Sequence, residues 1–147
     1  MPEAPAEIQQ MLRARKLERV SPNPEHARSV IATAQRHLRT ARMLSGTEDV
    51  AMAFTAAYDA ARKALAGVLA DHGLRARPVG GAHVNTGVAA AAYVHDDALA
   101  EFEWMRQVRN STEYPDEARP TATAQDVAEA IEAAAAIVAA CAAAVEA

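Results

Sequence analysis

Two arginines, Arg106 and Arg109, are followed closely by Asn110, Glu113 and Tyr114, and then by Pro115. A guanidinium presents a planar fork of donors that matches a phosphate. An amide can orient that phosphate, and a phenol can donate a hydrogen bond or a proton to it. A residue before proline is pushed out of the helical region. Tyr114 is therefore expected to leave the helix axis and fold back toward Arg109, which a spacing of five would prevent in an unbroken helix. Arg109, Asn110 and Tyr114 are the candidate catalytic residues. Arg106, Arg75, Arg77 and His83 are the candidate phosphate ligands. Arg75 and Arg77 lie within the irregular stretch 73–82, with its Gly80-Gly81 pair, and His83 follows it.

Each of these residues also has a plainer reading. Arg109 has Glu113 one helical turn away, and Arg106 has Glu103. Such pairs contribute only a few tenths of a kcal/mol, roughly 0.2–0.5. Asn110 can satisfy loose carbonyls near a helix end. Tyr114 can pack on Trp104. Arg75 and Arg77 can be exposed loop arginines, and His83 can make a structural hydrogen bond where a helix begins.

The elements that must position these groups read as helices. Residues 5–19 form a basic, weakly amphipathic segment anchored by Ile8, Met11 and Leu12. It is expected either to pack on the bundle or a partner, or to serve as an arm. The pattern then divides the chain into this arm, 1–20, and a bundle, 24–146. Asn23 and Pro24 start a helix that runs to Leu44, with Ala27, Ile31, Ala34 and Leu38 on one stripe. Thr47 is the expected cap of a second long helix ending near His72, with Phe54, Tyr58, Ala61, Leu65 and Val68 as its stripe and Gly73 as its stop. A shorter helix from about His83 to Val94 precedes the one that carries Arg106 and Arg109, which Asp96 or Asp97 caps. Residues 115–120 read as a loop. Thr123 and Asp126 resemble a capping box at the start of the last helix, 124–146. No strand pattern is evident. The fold class is an all-α, up-down bundle of four to five helices.

At 147 residues the chain reads as one globular unit. Hydrophobic residues make up 51% but aromatics only 4%. Alanine supplies much of the remainder, so the helices should pack closely while burying little area per residue. A homodimer interface is therefore expected to add stability. The net charge of −4 excludes bulk electrostatic attraction to nucleic acid and leaves only a local patch. Cys141 stands alone, in keeping with a reducing compartment. No secretory segment, no run long enough to span a bilayer, no metal-ligand spacing and no phosphate-binding glycine loop is evident. The expectation is a cytoplasmic protein without metal, cofactor or membrane partner.

Three features resemble the HEPN family of small all-α, commonly dimeric bundles, across roughly residues 26–145. They are the helix segment Tyr58-Asp59-Ala60-Ala61-Arg62-Lys63 with Leu69 to Arg75, the Gly80-Gly81-Ala82-His83 helix start, and Arg109-Asn110 followed by Tyr114-Pro115. The family signature is an Arg, usually followed by a polar residue, and then four to six residues before a His. Here Tyr114 stands where that His would first fall. The resemblance implies toxin–antitoxin, phage-defence or RNA-processing roles. In active members it implies metal-independent RNA cleavage by attack of the 2′-hydroxyl on the neighbouring phosphate. Tyrosine, with an ordinary pKa near 10, can donate a proton but is a poor base at neutral pH. The substitution is compatible with phosphate binding and argues against fast turnover. Three classes follow. One is a ribonuclease effector using Arg109 with Arg106 and Tyr114 or His83. The second is a binding module for RNA or a nucleotide. The third is an interaction bundle such as an antitoxin or adaptor. Expected partners are a second copy, RNA or a nucleotide, and a cognate antitoxin or nucleotidyltransferase.

Overall fold

A computed structural model describes residues 4–115 and 121–146. Six helices carry most of the chain: α1 (Ala6–Arg13), α2 (Pro24–Leu44), α3 (Val50–Asp71), α4 (Ala82–Ala91), α5 (Phe102–Glu113) and α6 (Ala124–Glu146). A 3₁₀ turn, Asp97–Glu101, leads directly into α5. Residues 116–120, most of the stretch read as a loop, lie outside the described residues.

Helix α3 is the central strut. It packs along α2 as an antiparallel hairpin partner and along α6, and it also touches α4 and α5. Its core side chains Phe54, Tyr58, Leu65 and Val68 are essentially inaccessible. Small residues let the helices approach closely. A methyl group on Gly67 would lie 3.2 Å from Ile31 Cδ1.

The caps follow from side-chain chemistry. The Asn23 carboxamide accepts from the backbone N–H of His26 at 2.9 Å, with Pro24 as the first helical residue. Thr123 and Asp126 form the reciprocal capping box at α6, with bonds of 2.9 and 3.1 Å. The start of α3 differs from expectation. Asp49, not Thr47, is the cap, accepting from Met52 N–H at 3.2 Å. Thr47 instead donates to the Leu44 carbonyl and accepts from Asp49 N–H, which closes the interhelical turn.

The N-terminal segment holds an unexpected element. The helix there ends at Arg13, and Leu17–Arg19 (β1) pairs antiparallel with Leu74–Ala76 (β2), in register Leu17 to Ala76 and Arg19 to Leu74. Three residues per strand are too few for alternation to stand out in the sequence. The pairing is fixed by burial of Leu17 and Leu74 in a second core with Ile8, Met11, Leu69 and Ala89. Gly73, in the left-handed region at φ 70°, makes the turn from α3 into β2, and a methyl there would meet the Val20 carbonyl oxygen at 2.7 Å. The segment 6–19 thus docks on α3 and α4 through its apolar side chains.

Helix α6 departs from expectation in another respect. Its 23 residues are long and apolar enough, by length and composition, to cross a membrane. Alanine accounts for this. One face, carrying Val127, Ala130, Ala134, Ile137, Val138, Cys141 and Val145, is buried in the bundle against α3 and α2.

Candidate functional site

Tyr58 lies at the centre of a cluster drawn from α3, α4 and α5. Its ring stacks on Phe102 at the start of α5, with centroids 5.3 Å apart and planes 9° apart. The Arg109 guanidinium carbon lies 5.8 Å from the Tyr58 ring centroid, within reach of a cation–π contact. The Tyr58 hydroxyl is 2.8 Å from His83 Nδ1, at the first turn of α4. The left-handed Gly81 is the residue that caps α4, so the glycine pair sets where that helix starts and hence where the imidazole lies.

Three arginines surround the phenol–imidazole pair, and each has a carboxylate on its own helix. Arg109 bonds Glu113 at 2.9 Å, Arg62 lies 3.5 Å from Asp59, and Arg106 holds Glu103 with two bonds of 2.7 and 3.0 Å. The Arg106 pairing draws the Glu103 carboxyl below its usual range. The Nε atoms of Arg62 and Arg109 are buried and have no hydrogen-bond partner among the described residues. The two side chains as a whole stay partly exposed, 28% for Arg62 and 24% for Arg109.

Burial raises the Tyr58 phenol to about 12, although Arg62, Arg109 and Arg106 all pull the other way. The phenol therefore keeps its proton at neutral pH. Burial first, and then Arg62 and Arg109, hold the His83 imidazole below its ordinary value. A neutral buried hydroxyl donates where an acceptor is available. The partner of the Tyr58 hydroxyl is His83 Nδ1, so we assign the tautomer in which His83 carries its hydrogen on Nε2. In that form Nε2–H is a donor suited to a phosphate oxygen and not a ready proton acceptor.

The sequence-derived candidates divide between two places. Arg109, Arg106 and His83 come together here. Asn110 lies on the same helix, its carbonyl accepting from Tyr114 N–H at 2.9 Å. Tyr114 was expected to fold back on Arg109, but its side chain is 75% exposed and the ring beneath Arg109 is that of Tyr58. The proline does end the helix, with Tyr114 off the helical geometry at φ −127°, ψ 68°, but the turn directs the ring outward. Arg75 lies in β2 and Arg77 directly follows it, and both are engaged with the segment that carries β1. Arg75 Nε bonds Glu18, and Arg77 donates to the Arg15 carbonyl at 3.2 Å. The arginines at 75 and 77 therefore stand apart from those at 106 and 109, and all of the four except Arg77 face a carboxylate. Tyr58 and Arg62 join the site although no motif in the sequence marks them. The signal was their spacing of four on the best-patterned helix, which puts both on one face.

The fold and cluster define a small helical-bundle protein with guanidinium and imidazole donors converging on a half-open face. A family model for the HEPN domain matches residues 27–144, and the chain belongs to the HEPN family. That membership brings a family-level association with nucleotide- or RNA-related and toxin–antitoxin-type roles. No curated protein and no solved structure matches the chain closely enough to be counted.

Proposed function

We propose that this HEPN protein binds an RNA phosphate through Arg109 and its neighbours, in a toxin–antitoxin or phage-defence type system, and that any metal-independent cleavage it performs is slow. The observation that carries this reading is the Arg109 guanidinium resting on Tyr58 beside the Tyr58–His83 hydrogen bond. A phosphate facing this group would receive the outer nitrogens of Arg109, with Arg62 or Arg106 alongside, and the Nε2–H of His83. The carboxylate pairs do not stand in the way. A partly exposed pair within one helix is worth only about 0.3–0.5 kcal/mol, and a charge-assisted contact to phosphate is stronger. The role of base in cleavage has no obvious occupant, because the imidazole accepts from Tyr58 and the Tyr114 phenol is solvent-facing.

The fitting experiment measures binding of labelled single-stranded RNA to wild type and Arg109→Ala at 50 and 200 mM salt, in EDTA. The expected result is at least tenfold weaker binding by the variant at the lower salt, with the melting temperature changed by no more than a few degrees. A second reading, an interaction bundle such as an antitoxin or adaptor, draws on the complete pairing of the three arginines with carboxylates. It prevails if RNA binding is unchanged and only the melting temperature falls. The reading includes a homodimer in the cytoplasm. An apolar groove of about 540 Å³, lined by Val84, Val88, Leu99 and Phe102, adjoins the cluster through Glu103 and supports a second copy at this face.

A further inference from the structure

A second cleft, of about 1080 Å³, opens at the far end of α3. Helices α3 and α4 run in the same direction, since His83 lies by Tyr58 and Tyr93 lies by His72. Fourteen residues of helical rise separate Tyr58 from His72, roughly 20 Å. The cleft is therefore distinct from the Arg109 cluster. Its outer wall is made by α1 and β1, which precede residue 27, where the family match begins.

Its inner wall is an aromatic platform. The His72 and Tyr93 rings stack with centroids 3.7 Å apart and planes 11° apart. Tyr93 is half-buried behind, and His72 is the exposed member. Arg13, in the last turn of α1, and Arg19, on β1, line the opposite side and are exposed. Neither forms an ion pair with another described residue. Burial raises the Tyr93 phenol and the Arg19 charge lowers it, so Arg19 acts on the platform itself. Asp71 completes the lining.

We propose that this cleft binds a nucleotide unit, its base stacked on His72 over Tyr93 and its phosphate held by Arg13 and Arg19. Bases stack on aromatic faces with little regard to sequence, and two arginines across the cleft supply the anion contacts. The Asp71 carboxylate repels a phosphate beside it and accepts from an exocyclic amine. It therefore orients the base inward and the phosphate outward, and favours amine-bearing bases such as adenine or cytosine. The same chemistry is presented by a free mononucleotide and by a nucleotide within single-stranded RNA.

The test is calorimetric titration of the full chain with AMP, with inorganic phosphate, and with a short single-stranded RNA, followed by competition of AMP against the RNA. Variants are His72→Ala, the pair Arg13→Gln with Arg19→Gln, and Arg109→Ala. All the substituted side chains in the cleft are exposed, so the fold should persist, and circular dichroism verifies it. The expected result is AMP binding weakened about tenfold or more by His72→Ala and by the arginine pair, and unchanged by Arg109→Ala. If RNA binds and AMP displaces it, the unit is read within a strand. If AMP binds and does not compete, the ligand is the free nucleotide. Both support the proposal. Loss of AMP binding only in Arg109→Ala overturns it, as does no binding of AMP or RNA at the cleft, or phosphate binding as tight as AMP. The reading of the Arg109 cluster stands or falls separately, because that cluster is tested by the opposite variant.

Discussion

The Tyr58–His83 pair is where the chemistry of single residues is most exposed to test. An unfolded imidazole titrates near 6.5, and in the folded chain His83 is held lower, by burial and by the nearby arginines. Between those two values the unfolded chain binds the additional proton and the folded chain does not. Stability contributed by neutral His83 is therefore complete above pH 6.5. It is lost as pH falls through the interval, and the loss levels off below the folded value. Melting temperatures of wild type and His83→Asn measured from pH 7.5 to pH 5 should converge as the pH drops, and parallel curves would contradict the account. The hydroxyl has its own test. Tyr58→Phe should weaken RNA binding, because His83 Nδ1 loses its donor and the tautomer is no longer fixed. Tyr114→Phe should leave binding within twofold of wild type. Arg109 was legible from sequence because it stands with Arg106 and Asn110 just ahead of the proline that ends its helix. The location of Tyr114 was not, because a proline specifies that a helix stops and leaves open which way the preceding ring then turns.

At the scale of elements, the contact between α4 and α5 sets the geometry of the cluster. A methyl group added at Gly87 would lie 2.9 Å from Phe102 Cδ2, and Phe102 is the ring stacked on Tyr58. Replacing a helical glycine with alanine gains about 0.8–1 kcal/mol of propensity. Overpacking a core contact costs about 1–3 kcal/mol. The clash should win, so Gly87→Ala should lower the melting temperature by a few degrees and disturb the Tyr58 stack. Gly80→Ala, where no atom lies within 4 Å, should leave the melting temperature unchanged or slightly raised. A variant of Gly87 at least as stable as wild type would mean that Phe102 has room to move. The long helices could be read because each repeats its apolar positions for four turns or more and carries side-chain caps. The β1–β2 pair could not. Its six residues hold together through register and a shared core with α1 and α3, and neither strand shows that partnership in its own sequence. The same argument covers Thr47 and Asp49. Both are good capping residues two positions apart, and the choice between them is made by the turn that Thr47 closes with Leu44.

For the molecule as a whole, the net charge of −4 opposes any polyanion, so RNA must be held by local contacts against a mildly repulsive field. The two candidate sites differ in how they meet this. The Arg109 cluster carries three guanidiniums already matched by Asp59, Glu103 and Glu113, whereas the far cleft sets Arg13 and Arg19 against Asp71 alone. Few counterions can be released at either. Single-strand binding loses affinity with salt at a slope of about −0.7 per phosphate neutralised. A footprint confined to the Arg109 cluster should therefore give a shallow slope, about −1 to −2, and one that reaches the far cleft a slope steeper by about 1. Titrating RNAs of increasing length across 50 to 200 mM salt reads this directly. The slope should increase once the strand is long enough to span the roughly 20 Å of α3 between Tyr58 and His72, and Arg13→Gln with Arg19→Gln should abolish the increase while leaving the short-strand value intact. A steep slope already present for the shortest strands would show instead that RNA lies along some other basic surface. The exposed face of α2, with Arg28, Arg36, Arg39 and Arg42, is the place where charge reversal would then be tried.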